Sequence, residues 1–335
     1  MCSVNHVNRL LSASDRDVLR REHRGESPAL RTSPFCKHYV AVKKYFGSLF
    51  QESPLVSAII AILLLSGAGH LGTLFLSGGA WEGSVSARKP GLFAISAGAT
   101  LWSLLLLSRH MLHVRGVRGV RDAISVSLLL EVVLITLQFH RGVPSHFNHA
   151  TPLDACIESA MLMLVLAATA GICWLAWQTG RLTGLSEHLA EAYRSGLWFL
   201  IGSCLIGAMI TVIGEQQLEM GRSPEILGRS GVLKYPHGIV LHALQTLPAV
   251  AWMMSQTKLQ HALTLIRIAV SGHALLLAHA VRQTLQGRAR FDTDLVSMIW
   301  LISGTFCILL PVFASIATSM TLWFSDRAKD RILHS

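Results

Sequence analysis

Residues 153–177 read LDACIESAMLMLVLAATAGICWLAW, a run of 25 residues dominated by apolar side chains. About 20 such residues, rising ~1.5 Å each, carry a helix across the hydrocarbon core of a bilayer. A strand reading fails, because the run lacks alternation and an isolated strand leaves its backbone unsatisfied in lipid. Seven further runs share this character, at about 55–76, 90–108, 123–140, 193–213, 236–254, 259–285 and 295–323. The expected fold is therefore all-α: a polytopic membrane protein with about eight transmembrane helices in one bundle. That bundle spans residues 54–325, between a basic tail over 1–53 and a short tail over 326–335.

Composition agrees. Of 335 residues, 51% are hydrophobic and 14% charged, where a soluble domain averages about 25% charged. Too little polar side chain is present to cover a water-soluble fold of this size. Pro54, Pro90, Pro152 and Pro236 stand at expected helix starts, where a missing N–H costs little. Pro248 and Pro311 fall inside runs and are expected to kink them. The six cysteines form no C-x-x-C pair and four lie in apolar runs, so neither a disulfide framework nor a zinc-finger spacing is present.

The formal charge of +10 does not imply a nucleic-acid partner. The basic residues gather in the N-terminal tail and between apolar runs, which is the placement of topology signals and lipid-headgroup contacts. The tail itself is expected to be disordered or bound at the membrane surface. Counted along eight passes, 18 Lys and Arg fall on one side and nine on the other. The positive-inside rule then places both termini in the cytoplasm. The connectors carrying GGAWEGSVSARKP (78–90), RGVPSHFNHATPLD (141–154) and the start of LKYPHGIVLHALQTLP (233–248) lie on the outer face.

Polar chemistry collects on that side. His70, His242 and His279 each sit six residues from the outer end of their expected helices, about 9 Å deep. His140 and Gln138 lie slightly above that level. Glu131 stands near the middle of the third helix, on the same face as Gln138 seven residues on. Ionisable residues inside a membrane are costly and normally face the bundle interior. His273 and His279 are six residues apart on one helix, so their side chains diverge. Every one of these residues also has a plain structural role open to it. An intramembrane histidine can serve as an interhelical hydrogen-bonding group. His146 and His149 can be wet loop residues, Arg88 and Lys89 can snorkel to headgroups, and Asp154 can favour a helix dipole.

The segments GGAWEGSVSARKPGLFAIS, QFHRGVPSHFNHATPLD and YPHGIVLHALQTLP together resemble a family of bacterial multi-pass membrane proteins that has no assigned activity. In it a W-x-G-x-x-S-x-R-K-P element, an R-G-x-x-S-H-F-N element and an H-A-L-Q-x-L-P element recur in this order. The resemblance spans roughly residues 55–285. Ala87 stands where a tryptophan is common, and the basic tail is an addition. The resemblance implies a location in the bacterial cytoplasmic membrane and no particular reaction.

Three functions compete. The first is a redox site holding haem b, with His70, His242 and His279 as candidate ligands and Arg88 against the propionates. The second is a metal-dependent membrane hydrolase, with His140, His146, His149 and Asp154 as candidate ligands of a divalent metal and a nearby acid as base; the candidate catalytic residues of the chain are Glu131 and Asp154. No H-E-x-x-H or G-x-S-x-G is present to support it. The third is a proton-coupled transporter or sensor switching on Glu131. The common histidine depth favours a histidine-rich outer-leaflet site for haem or a metal.

Overall fold

The computed structural model describes residues 51–257, 259–292 and 294–333, with side chains described as far as Thr321. The expectation for the tail therefore lies outside the described residues, except at 51–53. The helices are α1 (Pro54–Ser77), α2 (Arg88–Arg109), α3 (Val117–His140), α4 (Pro152–Trp177), α5 (Glu187–Glu219), α6 (Lys234–Leu241), α7 (Ala243–Thr257), α8 (Ala262–Leu285) and α9 (Leu295–Leu333). A short 3-10 turn (Gln178–Arg181) follows α4. A two-residue hairpin lies in the connector between α5 and α6, where β1 (Ile226–Leu227) pairs antiparallel with β2 (Gly231–Val232). The chain divides into two units between Ser57 and Ala58, inside α1. Of the first unit only 51–57 is described, and those residues include the opening of α1.

Among the described residues, seven spans are long and apolar enough to cross a membrane, with α6 and α7 together forming one of them. The remaining long helix, α3, is not among them. Its 24 residues rise about 36 Å, enough for a bilayer, but it carries Arg118, Arg121, Asp122 and Glu131. The chain is an all-α, multi-pass membrane protein. Large apolar side chains such as Leu65, Met163, Leu205 and Phe306 are exposed, which in lipid is their proper setting. The span within α2 is 61% buried, against 17–39% for the other six. It is the most enclosed of the seven.

Between helices in lipid, tight packing supplies what the hydrophobic effect does not. Glycine creates that packing here. A β-carbon at Gly272 of α8 would stand 2.7 Å from the Gly304 carbonyl oxygen of α9, and one at Gly196 of α5 would stand 2.7 Å from the Leu244 α-carbon of α7. Backbones can meet this closely only where the side chain is absent. In the second unit, α3 packs on α2 and α4, and α5 packs on α4, α6, α7 and α8. α8 also packs on α9.

Local sequence explains the ends. At the start of α4, the Thr151 hydroxyl accepts the Asp154 N–H at 3.2 Å, with Pro152 at the first helical position. At the end of α3, Gly142 adopts φ +71°. The Val143 N–H then returns to the Gln138 carbonyl at 3.1 Å, closing the helix in the left-handed manner that glycine favours. The span of α6 and α7 is interrupted at His242. Pro248 lies inside α7 and Pro311 inside α9.

Candidate functional site

The connector 141–151 is folded, not merely slack chain between helices. Phe147 has φ +57°, a left-handed conformation uncommon for a bulky residue. Its N–H donates to Glu158 Oε1 at 2.6 Å, and the next N–H, of Asn148, donates to Glu158 Oε2 at 2.9 Å. One carboxylate thus clamps two successive backbone amides. The Asn148 amide donates to the Pro144 carbonyl at 3.0 Å, and its oxygen accepts the Ala150 N–H at 3.2 Å. The Phe147 ring lies where a β-carbon on Gly214 would come within 2.5 Å of it. The connector therefore reaches from the end of α3 across to α5.

A second network ties the two ends of the connector together. Asp154 Oδ1 accepts from Arg141 Nη1 at 2.6 Å and from Gln138 Nε2 at 3.1 Å, and its Oδ2 accepts the Thr151 hydroxyl at 2.6 Å. Arg141 also donates to Gln138 Oε1. Gln138 and Asp154 are buried. Asp154, a sequence candidate for catalysis, thus has both oxygens engaged by neighbouring side chains.

His149 stands between two carboxylates. Its Nε2 is 3.1 Å from Glu158 Oε2, and its Nδ1 is 3.9 Å from Glu215 Oε2. One ligand atom from each of the three residues lies within 4.8 Å of the others. Ligand atoms about 2.1 Å from one tetrahedral zinc stand roughly 3.4 Å apart, inside the 4.8 Å that bounds this trio. His149 comes from the connector, Glu158 from α4 and Glu215 from α5. The imidazole is 55% exposed, which leaves the cluster accessible.

Beside it lie the other charges of this face. Lys234 pairs with Glu225, and the Arg88 guanidinium lies 5.5 Å from the Trp81 ring centre. Burial alone would push the Glu225 carboxyl up. The Lys234 hydrogen bond and charge, with Lys89 and Arg88 behind them, outweigh burial and leave it below its ordinary range. His146 accompanies Ser145, with Nδ1 and Oγ 3.0 Å apart. Burial, then the charges of Lys89 and Lys234, push its imidazole down to about 3. Lys89 lies in a crevice with Ser84, Ser86, Phe139, Val143 and Ser145. The connector thus lies against the 78–87 loop.

The intramembrane histidines have separate neighbours. His70 Nδ1 meets the Ser66 carbonyl at 2.8 Å, and its ring lies 5.9 Å from Phe139 and 6.1 Å from His140. His242 Nε2 is 3.4 Å from Ser96 Oγ. His279 Nδ1 meets the Ser297 carbonyl at 3.0 Å, with Tyr235 edge-on at 6.0 Å. His273 engages Thr246 and the Ala269 carbonyl. Glu131 is buried, and its Oε2 has no partner among the described residues.

Of the sequence candidates, the structure joins His149 to carboxylates and Arg141 to Asp154, and it sets His70 beside His140. Among the described residues, no hydrogen bond or ring contact joins His70, His242 and His279 to one another. Glu158 and Glu215 were not singled out from sequence. The available signal was an acid within or at the edge of a membrane-length run, the same signal that marks Glu131. The chain matches no family model, no curated protein and no solved structure.

Proposed function

We propose that this membrane protein holds a divalent metal on the face that carries connector 141–151, with His149, Glu158 and Glu215 as ligands. The observation that carries this reading is the convergence of one imidazole and two carboxylates from three separate segments. Three protein ligands leave further positions for water and substrate, the pattern of a catalytic rather than a structural centre. A metal-bound water with a lowered pKa is a nucleophile at neutral pH, which fits a hydrolytic reaction at the membrane surface. Metal analysis of the purified full chain tests the reading. One equivalent of zinc, manganese or iron is expected, lost in His149→Ala and Glu215→Gln. A wild-type protein that purifies without metal and takes up none on dialysis overturns it.

A haem reading has one observation in its favour. His279 Nδ1 is held by a carbonyl while its buried Nε2 has no partner among the described residues. That is the orientation in which an imidazole presents Nε2 to a metal. A Soret band in the purified protein, absent in His279→Leu, is the expected sign.

In the bacterial cytoplasmic membrane that the resemblance implies, the basic-residue asymmetry puts both termini inside and the proposed metal site outside. In a cysteine-free background, Ala150→Cys should label from outside the cell and Arg115→Cys should not. The reverse pattern overturns that orientation.

A further inference from the structure

The element H-A-L-Q-T-L-P contains the break between α6 and α7. His242 terminates α6 with φ −96° and ψ 11°. The Gln245 and Thr246 N–H groups both turn back to its carbonyl at 3.0 Å. Pro248 supplies no N–H, so the Leu244 carbonyl lacks its normal helical donor, and the proline ring crowds that carbonyl. Broken helices occur within membranes where they line a cavity or a binding site.

Four polar side chains meet at this break. His242 Nε2 lies 3.4 Å from Ser96 Oγ, and His242 Nδ1 lies 3.3 Å from Gln245 Oε1. Gln245 Nε2 donates to Thr100 Oγ1 at 3.4 Å. All three contacts are longer than the usual 2.7–3.2 Å. Elsewhere the buried histidines are held tightly, His279 at 3.0 Å and His273 at 2.9 Å and 3.0 Å. His242 is also exposed. It is eight residues into its span, and Ser96 is eight residues into α2. Both therefore stand about 12 Å along their helices from the charged residues Lys234 and Arg88 that open them, far enough to lie below the interface of a bilayer. A loosely bonded, exposed polar group at that depth faces hydrocarbon, where its hydrogen-bonding capacity goes unused at a cost.

We propose that Ser96, Thr100, His242 and Gln245 form a membrane-facing site for an uncharged lipid-soluble molecule, bound through a carbonyl or hydroxyl group. A quinone ring and a neutral glycerolipid both offer that chemistry. The hydroxyls, the amide and the imidazole can each donate or accept, so either group finds a partner. No Asp, Glu, Lys or Arg takes part in the network among the described residues. A charged headgroup would be desolvated without a counter-ion, so the site selects neutral ligands.

Binding to the full-length protein in nanodiscs tests this. The probes are decylubiquinone and 1,2-dioctanoylglycerol, with oleate as the anionic control. At least one neutral probe should bind saturably. His242→Leu and Gln245→Leu should weaken it by about tenfold or more, the loss of one good hydrogen bond. The probe that binds identifies the source, and binding of both supports the shared chemistry. Should His242→Leu fail to fold, Ser96→Ala and His242→Gln take its place, with several-fold weakening expected. The proposal is overturned if neither neutral probe saturates, if the folded variants bind like wild type, or if oleate binds the site as tightly.

Discussion

Glu158 on α4 accepts the Phe147 N–H at 2.6 Å through one oxygen and the Asn148 N–H at 2.9 Å through the other. This carboxylate gives the connector its shape. Glu158→Gln replaces one acceptor with a donor that faces an N–H. The loss should approach the ~1.5–3 kcal/mol of a hydrogen bond to a charged group. Faster amide exchange at Phe147 and Asn148 is the expected result, measured by hydrogen–deuterium exchange with mass spectrometry. Unchanged protection there would mean that the clamp is incidental.

The ion pair of Arg141 with Asp154 is enclosed on its acidic side, where the side chain is 2% exposed. Arg141→Ala should destabilise the protein by roughly 2 kcal/mol, less than a fully buried pair because the arginine is itself 30% exposed. A double-mutant cycle with Asp154→Ala should return a coupling of about 1–3 kcal/mol. Additive effects would show that the two groups act separately.

Much of this architecture was legible in the sequence, because a bilayer requires long apolar runs and their positions follow from hydropathy. Glu131 and Gln138 were expected on one face, and both are buried. The break at His242 was not legible, although Pro248 announced irregularity nearby. Its placement involves the contact of Gly196 with Leu244, which joins residues far apart in the chain. Likewise the run at 123–140 gave no sign that α3 begins at Val117. The buried Arg121 there bonds to its neighbour Asp122 and to Ser108 of α2, partners that hydropathy cannot register. The trio of His149, Glu158 and Glu215 depends on the Phe147 ring seating against Gly214, again a tertiary event.

Removing metal should weaken the fold if the proposed centre is occupied. A ligand at one hundred times its Kd stabilises by about 2.7 kcal/mol. Chelation with EDTA should therefore lower the melting temperature of wild-type protein, and zinc or manganese should restore it. His149→Ala protein should melt at one temperature with or without chelator. A chelator effect of equal size in that variant would point to a different ion site.

Asp294 carries a pH dependence. Its hydrogen bonds from Arg282 and from the Ser297 N–H hold its carboxyl well below the usual range. The folded value lies under the unfolded one, so its contribution is complete above about pH 4, the ordinary aspartate range, and is lost as the pH falls further. Melting curves between pH 6 and pH 2 should decline less steeply for Asp294→Asn than for wild type. Parallel curves would remove Asp294 from the acid response.

Gly272 tests the packing of α8 on α9. A leucine there has no room beside the Gly304 carbonyl, and the two helices must separate. A loss of roughly 1–3 kcal/mol is expected, seen as a lower melting temperature and lower yield. Gly69, where a β-carbon would meet nothing within 4 Å, should accept alanine with little change.

The polar character of α3 bears on how the protein is made. A single charged residue near a helix centre raises the free energy of insertion by about 2.5–3.5 kcal/mol. Glu131 lies in the middle of α3, and Arg121 is buried closer to its start. Arg121 has Ser108 of α2 and Asp122 as partners, but α3 leaving the translocation channel alone would meet lipid with Glu131 uncovered. Its partner α4 follows after a short connector, fits Gly171 against Ile124, and brings Asp154 to Arg141. The two helices are therefore suited to leave the channel as a hairpin. A nascent chain halted before α4 emerges should hold α3 at the channel, exposed to quality-control proteolysis.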